Sequence, residues 1–468
     1  MNKYILIILL LFGSLGLSAQ QSLSLEQCRQ MALKENKNIE IATLQIEKAK
    51  AEKAAIRANY FPSLSGSATG LYLHNNIEMD LYLPTLTPNL TTGELDPNIA
   101  INPMTGAPII GADGNPIFNM YAWLPLEISI QGAYIAGVTI EQPLYVGGKI
   151  RTGNRMTQIG VGMAEENLAL QRDKTFYETD QSYWLYVTVQ EKVKLAQKYN
   201  KLLNELLTTT QNAYETGMTT QNDVLKVKVK QNQAKLQLLK AQSGLQLTRM
   251  ALCRATGLPF DTEIITTDSL TQQMDNELIL SENNISLRPE YGLMQKQIEL
   301  ANEQVKLIRA DFLPTAGLQL GYNYVGGIEI SKQDFNQGNA SVIASVKIPL
   351  FHWGEGKNKI KSAQTDTEIK KAEFAQNLRL IELEITQARL NYNDAQIRIG
   401  LCQENLQQAE ENLRVTNNNY ELGMKIITEL IEAQTQWQEA YSEVIDARAD
   451  CKIKESAYLK ASSQLTFE

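Results

Sequence analysis

The chain has 468 residues, 43% of them hydrophobic and 21% charged, with a formal net charge of −8. No stretch beyond residue 20 approaches the ~18–20 apolar residues that a membrane helix needs, which excludes an α-helical membrane protein. Two histidines, His74 and His352, and no Lys/Arg-rich run leave little basis for imidazole catalysis, a His-rich metal site or nucleic-acid binding.

Met1–Ala19 reads as a secretory leader: Lys3 gives the positive start, Tyr4 to Phe12 the short apolar core, and Leu17-Ser18-Ala19 the small-residue cleavage site. No cysteine follows a lipoprotein-type cleavage site, so a lipid anchor is not expected. The four cysteines, Cys28, Cys253, Cys402 and Cys451, are far apart and form no CxxC pair. They read as small buried residues, with disulfide pairing left open.

After an Ala-rich helix opening at Leu25-Glu26-Gln27, the hydrophobic period changes at Pro62 from that of a helix to 2. Residues 62–74 read as a strand, with Leu64, Ala68 and Tyr72 on one face. In 126–144, Ile128, Ile130, Tyr134, Ala136, Val138 and Ile140 define a second strand. Between them, 75–125 holds seven of the 13 prolines and reads as an irregular surface loop, expected to face the exterior as a structural shield, with a lid or a receptor surface as the alternatives. Residues 150–255 then read as a long helical hairpin turning at Tyr214-Glu215-x-Gly217-Met218.

The pattern then repeats. Gln297-Ile298-Glu299 echoes Gln45-Ile46-Glu47 and Pro314 echoes Pro62, at an offset of 252. Pro349-Leu350-Phe351 echoes Pro143-Leu144-Tyr145, and Tyr420-Glu421-x-Gly423-Met424 echoes the first turn, both at an offset of 206. The segment from proline to turn tyrosine is therefore 71 residues long in both copies. Loops drift in length; a rod whose ends must line up does not. In the second copy, strands are expected at 314–325 and 340–351 and a helical hairpin at 357–462. From Ile381 through Ile385, Ala388, Tyr392, Ala395 and Ile399 to Tyr420, the 3-4 spacing is that of a coiled-coil seam. The first copy keeps it less strictly through Tyr186, Val189, Val193, Ala196, Leu203 and Leu207. About 63 residues of helix make a rod of roughly 95 Å. Length alone suggests about three domains; the duplication replaces that with two tandem repeats, 20–284 and 285–468.

Strands that are apolar on one face and small or polar on the other match the walls of an outer-membrane barrel. Tyr60, Phe61, Tyr145, Phe312, Phe351 and Trp353, at the strand–helix junctions, suit an interfacial aromatic girdle. Four strands cannot close a barrel, and open edges are not tolerated in lipid, so several chains must contribute.

The duplicated order of helix, β-hairpin and long helical hairpin resembles the TolC family of outer-membrane efflux proteins. The resemblance is carried by Leu25-Glu26-Gln27, Phe61-Pro62, Leu313-Pro314, both Pro-Leu-aromatic motifs, Arg288-Pro289-Glu290 and both Tyr-x-x-Gly turns. It implies a mostly α fold with a β-barrel portion, assembled as a homotrimer: a 12-stranded barrel in the outer membrane and a 12-helix coiled-coil tunnel in the periplasm. It also implies an exit duct for efflux or type I secretion, working with a periplasmic adaptor and an inner-membrane transporter of RND, ABC or MFS type. No cofactor, metal or covalent chemistry is implied. The resemblance further places a gate at the turns, with Glu429 and Glu432 as stacked carboxylate rings. There Lys425 is expected to meet Asn222, Asp223 and Tyr420 across neighbouring hairpins, and Tyr214, Gly217, Met218, Gly423 and Met424 to dock the adaptor.

An enzyme is disfavoured because no GxSxG, P-loop, HExxH or GxGxxG motif occurs in a fitting context. The alternative is a periplasmic adaptor-like coiled-coil protein. Adaptors, however, carry one hairpin flanked by compact β domains, and this chain has two equal rods.

Overall fold

The computed structural model describes residues 21–270, 285–330 and 333–465. The leader Met1–Ala19 and the ends of both repeats, 271–284 and 466–468, lie outside the described residues. In chain order the elements are β1 (Gln21–Leu23), α1 (Leu25–Glu35), α2 (Lys37–Ala58), β2 (Ser63–Pro84), β3 (Leu86–Pro88), β4 (Leu95–Pro97) and β5 (Tyr121–Val146). They continue with α3 (Lys149–Glu215), α4 (Gln221–Thr256), β6 (Ile264–Thr266), a 3₁₀ turn (Ile285–Leu287) and α5 (Pro289–Ala310). The chain finishes through β7 (Thr315–Ile330), β8 (Gln333–Lys347), α6 (Glu355–Glu421) and α7 (Ile427–Ala461). Both rods, α3 and α6, have 67 residues. They start and stop 206 residues apart, so the constant offset in the sequence is a constant rod length of about 100 Å.

The described residues divide into a helical unit (up to 54, 155–305 and from 361) and a sheet unit (55–154 and 306–360). In the helical unit, Ser24 opens α1 with a capping box: its hydroxyl accepts from the Gln27 amide while the Gln27 side chain accepts from the Ser24 amide. The short strands β1 and β6 pair in parallel. Between them and the rods lies one core cluster, built from Leu23, Cys28, Tyr183, Trp184, Val187, Leu252, Cys253, Ile264 and Ile445. A second cluster joins Tyr199, Leu203 and Leu206 of α3 to Val227 and Ala234 of α4 and to Ile427 and Leu430 of α7. A third sets the seam residues Ile381, Ile385, Tyr392 and Ala395 of α6 against Cys451, Tyr458 and Ala461 of α7. The rod α3 buries more than the seam read from its sequence. Tyr183, Trp184, Val187 and Leu195 are buried on a further face, because the N-terminal segment and β6 pack there.

In the sheet unit, four antiparallel strands stand in the order β2-β5-β7-β8. Strands β5 and β7, paired from Val146↔Thr315 to Ile128↔Ile330, join the two repeats. In this sheet β2 and β8 each keep one unpaired edge. Gly147, at φ +65, makes the turn from β5 into α3; a Cβ there would stand 2.5 Å from the Ala310 carbonyl oxygen, so only glycine fits.

Two expectations are corrected here. The first hairpin extends well beyond 62–74 and 126–144, so 75–84 and 121–125 are ladder rather than loop. Pro84 ends its strand and Pro125 falls within a register shift, where a missing N–H costs no ladder bond. The remaining loop, 85–120, is not irregular: it contains β3, β4 and three isolated bridges. In the second hairpin β8 starts at Gln333 and stops at Lys347, short of the expected 351. Pro349 lacks the N–H that would continue the ladder.

Candidate functional site

The two helical hairpin turns are built alike. In the first, the Gly217 amide donates to the Tyr214 carbonyl and the Met218 amide to that of Ala213; in the second, Gly423 donates to Tyr420 and Met424 to Asn419. Gly217 and Gly423 both have φ +74, the left-handed conformation that ends a helix at low cost only when glycine supplies it. Tyr214 is exposed, and so are the methionines that follow the glycines, Met218 at 84% and Met424 at 65%.

Beyond the turns the copies differ. Thr220 caps α4, its hydroxyl accepting from the Asp223 amide at 3.3 Å. The Asp223 carboxylate accepts in turn from the Thr220 hydroxyl at 2.8 Å and the Thr219 hydroxyl at 3.1 Å. The Lys226 ammonium stands 3.4 Å from that carboxylate and donates, also at 3.4 Å, to the Thr428 hydroxyl on α7. The Thr220 hydrogen bond, helped by those from Thr219 and Lys226, holds the Asp223 carboxyl below its ordinary pKa. Helix α7 instead opens at Ile426 with no side-chain cap. One residue earlier, Lys425 forms an ion pair with Glu429 on the first turn of its own helix.

The structure therefore brings Asp223, Lys226 and Thr428 together across α4 and α7, and pairs Lys425 with Glu429. Within the chain Lys425 does not bond Asp223, because each already has a nearer partner on its own helix turn. Asn222 is exposed on the first turn of α4, and Tyr420 is half-buried against the Val227–Leu430 cluster. Glu432 is exposed one helical turn beyond Glu429. Lys226, Thr428 and the Thr219-Thr220 pair were not singled out from the sequence. The legible signal for the pair was two threonines just ahead of an acid at the third helical position, an N-cap pattern.

A second polar cluster anchors each repeat to its rod. Arg29 grips the fully buried Asp180 of α3 through two 2.7 Å bonds. Arg288, from the Arg-Pro-Glu motif, is 4% exposed and donates to Glu290, to Glu384 of α6 and to the Ala461 carbonyl that closes α7. Beside it, burial and the neighbouring Glu290 push the Asp173 carboxyl up to about 6. All four cysteines are free. Burial and the nearby carboxylates of Asp268 and Asp180 push the Cys28 thiol up to about 12, so it behaves as an apolar core residue.

In the sheet unit the strand–helix junctions present aromatic rings outward. Tyr60, Phe61, Tyr145, Phe351 and Trp353 are all about half exposed or more. Phe351 packs edge-on against Trp353 at 4.8 Å, and the half-buried Phe312 against His352 at 5.7 Å. Among the described residues no helix is long and apolar enough to cross a membrane. None of their His, Cys, Asp and Glu side chains form a group able to hold a metal ion.

Comparison with known proteins places this arrangement. The alkaline protease secretion protein AprF of Pseudomonas aeruginosa is 22% identical over 355 residues, covering 72% of this chain and 69% of that protein. The Campylobacter jejuni CmeC outer membrane channel superposes with a TM-score of 0.71 at 16% identity, over 95% of this chain and 87% of that one. The open state of the Neisseria gonorrhoeae MtrE outer membrane channel superposes with a TM-score of 0.69 at 16% identity, over 94% of this chain and 88% of that one. The family model described as outer membrane efflux protein matches residues 121–258 and 281–461, most of both repeats. The chain thus belongs to the outer membrane efflux protein family and serves as an outer-membrane duct for efflux or secretion.

Proposed function

We propose that three copies of the chain close a 12-stranded barrel in the outer membrane and a 12-helix tunnel in the periplasm. The observation that carries this reading is an open four-stranded sheet with an unpaired edge at β2 and another at β8. Pairing β8 of one chain with β2 of the next removes every edge after three copies, as lipid requires. A second observation supports it. Leu380, Leu383, Leu390, Ile397 and Leu401 form an exposed heptad stripe on α6, distinct from the seam that α7 covers. Leu225, Val229, Leu236, Leu239 and Leu247 form another on α4. Three-fold assembly gives both stripes partners and the tunnel its wall.

At the tips the duct meets a periplasmic adaptor and, through it, an inner-membrane transporter of RND, ABC or MFS type. Tyr214, Gly217, Met218, Gly423 and Met424 form the contact, an exposed thioether-rich surface suited to a partner helix. Three copies turn Glu429 and Glu432 into stacked carboxylate rings that favour cations. Lys425, held to Glu429 in the single chain, sets how much of that charge faces the pore. Asn222, Asp223 and Tyr420 stand at the same level as the closing surface.

Extraction of outer membranes with detergent tests the assembly: a trimer is expected, and a soluble periplasmic monomer would exclude the duct. In planar bilayers, trimers carrying Glu429→Ala and Glu432→Ala are expected to lose cation preference. Unchanged selectivity would remove the ring assignment.

A further inference from the structure

The β2–β5 hairpin outlasts its neighbours. The last β5 residue paired with β7 is Ile128, opposite Ile330, whereas β5 continues to Tyr121 opposite Pro84 of β2. Seven residues of β5 (121–127, about 23 Å) and five of β2 (80–84, about 17 Å) therefore rise beyond the β7–β8 hairpin as a two-stranded ribbon. The ladder shifts register between Tyr72 and Ile77, where β5 still pairs with β7, and again between Met79 and Leu81 at the base of the ribbon, and such bulges bend a ribbon. The segment 85–120 at its end is a folded arm. Its backbone is laced by the bonds Thr85→Met120, Asn98→Thr85, Asn119→Asn98, Ala100→Ile117, Ile109→Ala100 and Ile117→Ile109. Its turns are set by glycines at positive φ, Gly93, Gly106 and Gly114.

The surface of this arm is unusual for a segment bathed in water. Leu90 and Met104, at two of its turns, are 102% and 95% exposed, and Leu86, Leu95, Ile101, Ile110 and Met120 are more than half exposed. Exposed apolar clusters of this kind mark contact surfaces. Residues 75–126 contain no Lys, Arg or His, so nothing there attracts an anionic lipid surface. Two of the arm's carboxylates are engaged within the arm: Asp96 accepts from Asn89 at 2.7 Å and Asp113 from the amide and side chain of Asn115.

We infer that the arm's partner is the same arm of the other two copies, and that three arms meet over the pore as a lid at the extracellular mouth. The inference rests on the trimeric reading above. Twelve strands spaced ~4.8 Å apart and tilted ~40° give a barrel of radius about 12 Å. A ribbon of about 17–23 Å bent by the bulge at its base reaches the axis of such a barrel with length to spare. Three-fold symmetry brings identical arms together head to tail in a ring that closes, and so buries the apolar turns of all three in a single contact. Like the gate at the periplasmic tips, the lid is held by surfaces weak enough to part.

The experiment uses full-length protein in outer-membrane vesicles, with Leu90→Cys and Met104→Cys introduced singly. Leu350→Cys, an exposed site at the opposite end of the sheet, is the control. On oxidation, at least one arm variant is expected to give a covalent dimer and to lose most of its conductance, regained on reduction, while the control stays monomeric in denaturing gels. Replacing 87–118 with a short glycine linker should raise conductance several-fold without loss of the trimer. A trimer that persists with neither arm cross-link nor any conductance change on deletion overturns the lid alone. Absence of a trimer in the unmodified protein overturns the lid and the duct reading together.

Discussion

Lys226 is the only side chain that hydrogen-bonds across α4 and α7 at the tips among the described contacts, through Thr428. Its bonds are exposed and long, so each contributes only about 0–1 kcal/mol, a suitable strength for a contact that a docking partner must release. Lys226→Ala is expected to raise the frequency or size of channel openings in planar bilayers more than Lys425→Ala, whose partner Glu429 lies on the same helix. Equal effects of the two would return the lock to Lys425. Thr220→Ala removes the cap of α4 and should lower stability by about 1 kcal/mol, seen as a drop in melting temperature with the trimer retained. Asp173 supplies a pH test. Its carboxyl is raised from 3.8 to about 6 in the fold, so the folded state favours the protonated form. The stability this contributes is present below about pH 4 and is lost as pH rises towards 6. Glu290, lowered from 4.5 chiefly by its bond to Arg288 against the opposing effect of burial, contributes with the opposite sign and only as pH falls below its unfolded value. Between pH 4.5 and 6.5 stability should therefore fall with rising pH, by an amount on the order of 1–2 kcal/mol after allowing for solvent screening, read as a falling melting temperature. Asp173→Asn should flatten that slope. Arg288 and Lys460 are the cations that oppose this rise at Asp173.

At the level of elements, α6 carries two apolar stripes with different fates. Ile385 faces α7 within the chain and is 2% exposed, whereas Leu390 and Ile397 face away and are mostly exposed. Leu390→Asp with Ile397→Asp should dissociate the trimer and leave the helical circular dichroism of the chain intact. Ile385→Asp buries a charge without a partner and should unfold the hairpin itself. If the double variant stays trimeric on native gels, the α6 stripe is not the contact between copies. The rods and turns were legible in the sequence because the seam from Ile381, the glycines at 217 and 423 and the constant offset all report the same geometry. The strands were legible in kind but not in length, since Pro84 and Pro125 read as breakers until the ladder end and the bulge that hold them are known. The folded arm was not legible: its pairing runs through single bridges such as Ile99↔Phe118 and Ile110↔Pro116, too short to leave a period. At the tips, the sequence reading set Lys425 against Asn222, Asp223 and Tyr420. The Lys425–Glu429 pair within one helix, and the presence of Lys226 beside Asp223, depend on which helical turn each occupies, and the resemblance did not supply that.

For the whole molecule, the two rods are equal in length, 67 residues each, and the proposed trimer makes that equality testable. Each chain contributes two hairpins to one ring of tips, and a ring closes only when its members end at the same height. Excising one heptad pair from the second hairpin, 404–410 with 437–443, keeps the coiled-coil phase of that hairpin. It shortens the hairpin by about 10 Å relative to the first. The Asp223–Lys226–Thr428 contact is then broken by displacement rather than by substitution, and the trimer should leak ions without any partner. Excising the corresponding pair from the first hairpin as well, 198–204 with 231–237, brings the tips back into line. The doubly shortened trimer should recover its low resting conductance. Because the excised residues lie away from Tyr214–Asp223 and Tyr420–Glu429, loss in the single deletion with recovery in the double one separates length matching from damage to the tips. A double deletion that leaks as much as the single one would mean that the constant 206-residue offset reflects duplication history and not the mechanics of the gate.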